Sequence, residues 1–384
     1  MKRIISLAVV FLLTMTGMTA LFALTIDGSA PQLGPAGDPV VDAIQEELDS
    51  AFEREKTSYE DEIRGISPNP KKMIGAFATS SVFSSIGASL RTFQGYDSFA
   101  LTVGVMGGVQ LPASIFSVFG SLDAIANAAD KLLDDINKDG DLQMGVNPQV
   151  INAQLGINTS GFLLKGLYVG FKGGYMNLPI NLDEFQMSFL TWSAGAMINY
   201  QVIPQFKLMG GLIVWRGLNV GAGFVYQSTS LNLDIPIKVD DGSSSGQTTI
   251  GSTGAYLDFG NPKLSFRFNI NTYTVPLEAV TSIRLLGFAN FSFGCGADLG
   301  FGSATMSGSL DSEINIRNLP SGMTQSPGRM NVSMSGTNSP SLINPKIMGS
   351  LAFSAGPAII LDIPITYYFL NNGYNIGITF GIAM

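Results

Sequence analysis

Asp135, Asn137, Asp139 and Asp141 stand at alternate positions, with Gly140 sixth and Leu142 eighth in the series. Oxygen ligands at positions 1, 3 and 5, a glycine at 6 for the sharp turn and an apolar residue at 8 are what a calcium loop requires. The twelfth position, where a bidentate glutamate would close the shell, is Val146. The four residues are therefore candidate ligands for a weakly held Ca2+, and the alternative is an acidic turn. No other cofactor is expected. Asp311 and Glu313, two apart, resemble the paired carboxylates of acid–base chemistry. Their companions in that register, Ser307, Ser309, Asn315 and Arg317, suit a wetted lumen wall better.

The remaining reactive chemistry is sparse. Histidine is absent, which removes the usual general base and the commonest metal ligand. Cys295 is the single cysteine and falls in the apolar register Phe291, Phe293, Cys295, Ala297, Leu299, Phe301, where it reads as a small hydrophobe. Without a nucleophile–base pair, a phosphate-binding glycine loop or paired cysteines, the expectation is a protein that is not an enzyme.

The elements that would carry these residues are strands. Tyr374, Ile376, Ile378, Phe380, Ile382 and Met384 alternate with Asn375, Gly377, Thr379, Gly381 and Ala383, so one sheet face is apolar and the other small or polar. The run is as long as a tilted strand crossing a bilayer. Ile359 to Phe369 repeats the pattern, with Asn371-Asn372-Gly373 as hairpin turn. Similar runs lie near 98–109 and 187–200. In another, Leu264, Phe266, Phe268 and Ile270 oppose Ser265, Arg267, Asn269 and Asn271. There the phenylalanines are expected to face lipid and Arg267 and Asn269 water. Fourteen such segments, within about two, are expected, the first near 75–90. Two segments rich in Ser, Gly, Asn and Pro, 236–262 and 318–344, are expected as long outer loops. Counting strands back from the last places 122–142 on the opposite side.

Composition agrees with a wall of strands. Mean hydropathy is +0.28 and only 13% of residues are charged, yet beyond residue 23 there is no long uncharged helical run, and a barrel hides its hydrophobicity in alternation. Residues 38–64 carry ten acidic and three basic side chains, whereas 65–384 are close to neutral. With no basic patch, nucleic acid is not an expected partner. Lys2 and Arg3, the apolar run Ile4–Leu13 and small residues to Ala20 or Ala23 form a signal-peptide pattern over 1–23, implying export.

The expected organisation is a leader, an N-terminal linker with an acidic amphipathic helix over 24–71, and a β-barrel over 72–384 with a helical insertion near 119–142. In the helix, Val41, Ile44, Leu48 and Phe52 share a face, and it would lie on the periplasmic rim or plug the lumen. The fold class is thus all-β: a transmembrane antiparallel barrel of about 14 strands. Its partners would be outer-membrane lipid and the barrel-assembly machinery, engaged through the last strand.

Leader, N-terminal non-barrel segment, strand number and aromatic-rich closing strand together resemble the long-chain fatty-acid transporter-like family of outer-membrane proteins. That resemblance implies an N-terminal hatch inside the barrel and passage of small hydrophobic ligands through it. The expected function is accordingly passive uptake of small hydrophobic molecules, the alternative being a surface-exposed structural or adhesive barrel with no conducting pore.

Overall fold

The computed structural model describes residues 23–35, 37–65, 70–86, 96, 98–110, 145–182, 185–236, 248–250, 255–259, 263–319, 322–355 and 359–384. In chain order these form β1 (Ala23–Ser29), β2 (Gln32–Gly34), α1 (Pro39–Gly65), α2 (Pro70–Ile86), β3 (Phe99–Gln110), β4 (Gly145–Asn158), β5 (Leu167–Leu182), β6 (Phe185–Ile203) and β7 (Phe206–Leu208). There follow β8 (Ile213–Pro236), β9 (Thr248–Ile250), β10 (Ala255–Phe259), β11 (Lys263–Leu285), β12 (Ala289–Arg317), β13 (Thr324–Ser326), β14 (Gly328–Asn338), β15 (Ile343–Ala355), β16 (Ile359–Tyr368) and β17 (Gly373–Ala383).

Fifteen strands make one antiparallel sheet. It closes because β12, the longest strand, has different neighbours along its length. Residues 289–299 pair with β15, and residues 304–314 pair with β14. The ring β12–β11–β8–β6–β5–β4–β3–β17–β16–β15 therefore returns on itself with ten strands. Closure gives each ring strand a partner on both sides, which is the condition for strands in hydrocarbon. β5, β6, β8, β11 and β12 continue past the ring at the end opposite Ala383, and β14 and β1 extend that wall. We call this the upper end.

Along β11 and β12 the inward and outward registers do not slip, but their chemistry exchanges. On β12 the outward side chains are Phe291, Phe293, Cys295, Ala297, Leu299 and Phe301, then Ser303, Thr305, Ser307, Ser309 and Asp311. Its inward set runs Ser292, Gly294, Gly296, Asp298 and Gly300, then Ala304, Met306, Leu310 and Ile314. β11 exchanges at Tyr273 and β8 at Tyr226, residues paired in register. The lower part thus has an apolar outside and a polar inside, and the upper part the reverse. From Phe291 to Phe301 is about eleven residues, the length of a tilted strand through a bilayer core. Trp192, Tyr226 and Tyr273 form a chain of ring contacts at 5.0 Å on the boundary, and the Tyr226 hydroxyl donates upward to Asn271 Oδ1 at 2.9 Å. Amphipathic rings in that position are the girdle expected where lipid meets water. Phe206 and Trp215, also 5.0 Å apart, lie near the lower rim.

This geometry corrects two expectations. Leu264, Phe266, Phe268 and Ile270 do not face lipid; they are buried inside the upper wall with Met306, Met334 and Ile74. Arg267 and Asn269 point outward above the belt rather than into the lumen. Asp311 and Glu313 likewise lie on the outer surface, not on a lumen wall: Asp311 accepts from Arg329 and Glu313 from Asn315. Their register was right, but the medium on each side was inverted.

The N-terminal segments also differ from expectation. Ala23–Ser29, placed in the leader and linker, is a strand on β14, and Gln32–Gly34 pairs with β13. α1 begins with Asp38, whose Oδ1 accepts from Val40 N at 2.9 Å as an N-cap. Its Leu48 and Phe52 close over Ile26, Ile314, Ile316, Met330 and Val332 at the upper end, so α1 neither plugs the barrel nor sits at its lower rim. Residues 75–86, expected in the first strand, belong to helix α2. Gln110 and Gly145, which flank 111–144, pair at the upper end, opposite the side on which strand counting placed that insertion. The helix expected near 119–142 lies outside the described residues.

Candidate functional site

The interior of the ring is where polar side chains converge. α2 descends into it, touching β3, β4, β8, β11, β12, β14 and β17. Its upper half is apolar: Met73, Ile74 and Ala78 join the core around Phe266, and Phe77 lies 5.2 Å from the Phe268 ring. Its lower half is hydroxylic. Ser81 Oγ lies 3.1 Å from Thr272 Oγ1, and Ser84 Oγ accepts from Gln227 Nε2 at 2.9 Å. Phe83 stacks on Tyr368 with ring centres 3.8 Å apart, and its carbonyl accepts from Asn375. The helix is thus built to match the chemical exchange in the wall around it.

Glycine makes room for this close approach. A Cβ on Gly108 of β3 would overlap the Ser80 carbonyl, and one on Gly145 of β4 that of Ala76. No residue with a side chain fits either place without moving the helix.

Beside and beneath the lower half of α2 the polar side chains bond to one another. Gln149 Nε2 donates to Gln227 Oε1 at 2.8 Å, joining β4 to β8 across the lumen, and Asn147 Nδ2 donates to Thr229 Oγ1 at 2.9 Å. Asn152 Nδ2 continues to Gln149 Oε1 at 2.7 Å. On the other side Lys346 is clamped by Glu278 and by Asp298 Oδ1 at 2.6 Å, while the Tyr368 hydroxyl donates to Asp298 Oδ2 at 2.8 Å. Lys346 is 1% exposed and Asp298 0%. Ions stripped of water this completely need compensating charge, which the triad supplies. Lys172, Asn199, Asn219, Thr366 and Thr379 are buried too. The described part of the lumen is therefore lined by buried polar side chains and bonded across at Gln149–Gln227.

The candidate metal ligands Asp135, Asn137, Asp139 and Asp141 lie outside the described residues. Among the described residues no group of three or more His, Cys, Asp or Glu could hold a metal ion. Cys295 is exposed on the outer wall, in the apolar belt. Sequence reasoning missed both the plug and the triad. The sequence Asn69-Pro70, a residue type that favours capping before a preset first helical position, is the one local signal for α2. The triad's signal is charge on the small-residue face of three strands.

Residues 20–384 match the Lsa36-like family. The chain belongs to that family. Comparison with curated proteins finds no match. Among solved structures, the Lsa36-like chain is similar to the translocator domain of the autotransporter NalP from Neisseria meningitidis, at 8% identity and TM-score 0.32, covering 75% of this chain and 88% of that one. It is similar to the outer-membrane protease OmpT from Escherichia coli, at 9% identity and TM-score 0.32, covering 74% and 94%. It is also similar to the P. putida toluene transporter TodX, at 9% identity and TM-score 0.27, covering 76% and 91%. The likeness is architectural, and no residue or activity is carried over from it.

Proposed function

We propose that this Lsa36-like protein is a sealed outer-membrane barrel whose work is done by its upper wall and α1 at the cell surface, not by conduction. The observation that supports this reading is the interior, where α2, the Gln149–Gln227 cross-bond and the Lys346 triad occupy the described lumen. The connections support the orientation: the two longest between strands, 111–144 and 237–247, leave the upper end, whereas 286–288 is a tight lower turn. Long loops outside and short turns inside are the habit of outer-membrane barrels.

Purified protein in planar bilayers should give no single-channel conductance and should migrate faster on gels before heating than after, as a closed barrel resists detergent. Steady conductance by the intact protein would sink the sealed reading. Passive uptake of hydrophobic molecules, the other reading, would need α2 to leave. A variant that loses the helix contacts, Gly108→Val with Gly145→Val, should then conduct while the parent does not.

A further inference from the structure

The path of the chain through the ring carries an inference about how the upper module gets where it is. α1 and β1 lie above the belt, with Leu48 and Phe52 seated on Ile314, Ile316 and Met330. α2 enters the ring from that side beside Phe268 and ends within it, where Asn375 bonds Phe83. The next described residue, Tyr96, is at the bottom and still inside. Its ring stands edge-on 5.2 Å from inward-facing Tyr168, and its carbonyl accepts from Asn158 Nδ2 at 3.0 Å. Ser98 N and Phe99 N then bond the Met384 carbonyl at 2.6 and 3.1 Å, and β3 rises as the first strand of the wall. On either side of residues 87–95 the chain thus stands inside the ring, near its top at the end of α2 and at its bottom at Tyr96, before it builds the ring.

Ten strand pairings close the ring, β4 meeting β5 over residues 151–158. α1 is strongly acidic and could not skirt the barrel through lipid. An α-helix with side chains is about 10–12 Å across, and one such helix with its polar neighbours already occupies the lumen. The folded upper module, a 27-residue helix docked on strands, is wider than that. It must have passed through as single chain, or the ring must have closed around it.

We propose that the barrel delivers its own N-terminal segment, residues 23–86, to the outer surface, where β1 completes the upper wall, and retains α2 as the seal. This rests on the outward orientation of the upper end argued above. Once β1 pairs with β14 in register from Ala23–Ser335 to Ser29–Arg329, and Leu48 and Phe52 are buried, return through the ring would require unfolding the module.

The test uses the full chain in intact cells, with Cys295→Ser as background and single cysteines at Glu46 on α1, Asn232 on the upper wall and Lys207 at the lower rim. A membrane-impermeant maleimide should label Glu46→Cys and Asn232→Cys in intact cells, and Lys207→Cys only after permeabilisation. In the same background Ser81→Cys with Thr272→Cys should form a disulfide spontaneously, as their hydroxyl oxygens are 3.1 Å apart. Labelling of Glu46→Cys only together with Lys207→Cys, or failure of the disulfide in correctly inserted barrel, would overturn the threading. Labelling of Lys207→Cys in intact cells, with Asn232→Cys and Glu46→Cys both silent, would overturn the orientation and the outward display while leaving the threaded path intact.

Discussion

The lower ring and the upper wall are made from the same strands, yet each solves the burial problem with the opposite face. In the ring, Phe293, Phe301, Ile378 and Phe380 look outward and Gln227, Asp298 and Asn375 inward. In the wall, Ser307, Ser309 and Arg267 look outward and Phe266, Phe268 and Met306 inward. The difference teaches that a strand's periodicity records only that two faces meet two environments. Which face is wet is set by the medium at that height, and Tyr226, Tyr273 and Trp192 mark where it changes.

The largest break in this comparison should come from the interior of the wall. Phe268→Ala, which empties the space against Phe77, should cost about 3–5 kcal/mol. Thr272→Ala, four residues along the same face and at the boundary, should cost about 1 kcal/mol, the worth of its hydrogen bond to Ser81. Denaturant unfolding of the refolded barrel measures both, and equal losses would erase the distinction between the two interiors.

Of similar size is the effect of Lys346→Met, which strands Glu278 and Asp298 without a cation and should cost roughly 3–5 kcal/mol. The triple variant Lys346→Met, Glu278→Gln, Asp298→Asn should recover most of that loss. Recovery failing would show that the lysine contributes more than charge balance.

On the outer face the contrast reverses sign. Phe293→Arg should impair folding into lipid by roughly 2–4 kcal/mol, whereas Ser307→Arg on the same strand and same side should stay within about 0.5 kcal/mol. Urea titrations in liposomes separate them.

The smallest effect concerns Asp311, outside the belt. The charge-assisted hydrogen bond from Arg329 holds its carboxyl below the ordinary value of 3.8. A carboxylate depressed in the folded state adds stability above its unfolded value and loses it as pH falls through the folded one. Because the pair is exposed, the loss is small. The thermal midpoints of wild type and Asp311→Asn should therefore converge as pH is lowered beneath that range and separate slightly above it.

How much of this was legible depends on the kind of signal. β17 could be read directly, since Ile376, Ile378 and Phe380 are exposed and Asn375 and Thr379 buried, as alternation demands. So could the turn, where Asn372 takes a φ of +45°. The inversion could not: Leu264 to Ile270 alternates identically whether its apolar face meets lipid or a helix. The hint lay further along β11, where Tyr273 ends the polar outward series Ser265, Arg267, Asn269, Asn271. α2 was misread because a helix enclosed on all sides has no amphipathic period, and Ala76-Phe77-Ala78-Thr79 passes for a short strand. The triad escaped because lumen charges look alike whether paired or wet. β1 was hidden by the leader pattern, whose small residues run straight into it.

The claim that ties these regions together is the exchange of medium along one unbroken face, and β12 lets it be measured on a single strand. With Cys295 replaced by serine, nitroxide labels placed singly at positions 293, 297, 301, 305 and 309 in the membrane-inserted protein would report relative accessibility to oxygen and to a water-soluble nickel chelate. The account predicts that oxygen dominates at 293, 297 and 301 and nickel at 305 and 309, with the crossover between Phe301 and Thr305. A profile that favours oxygen, or nickel, along the whole series would contradict it.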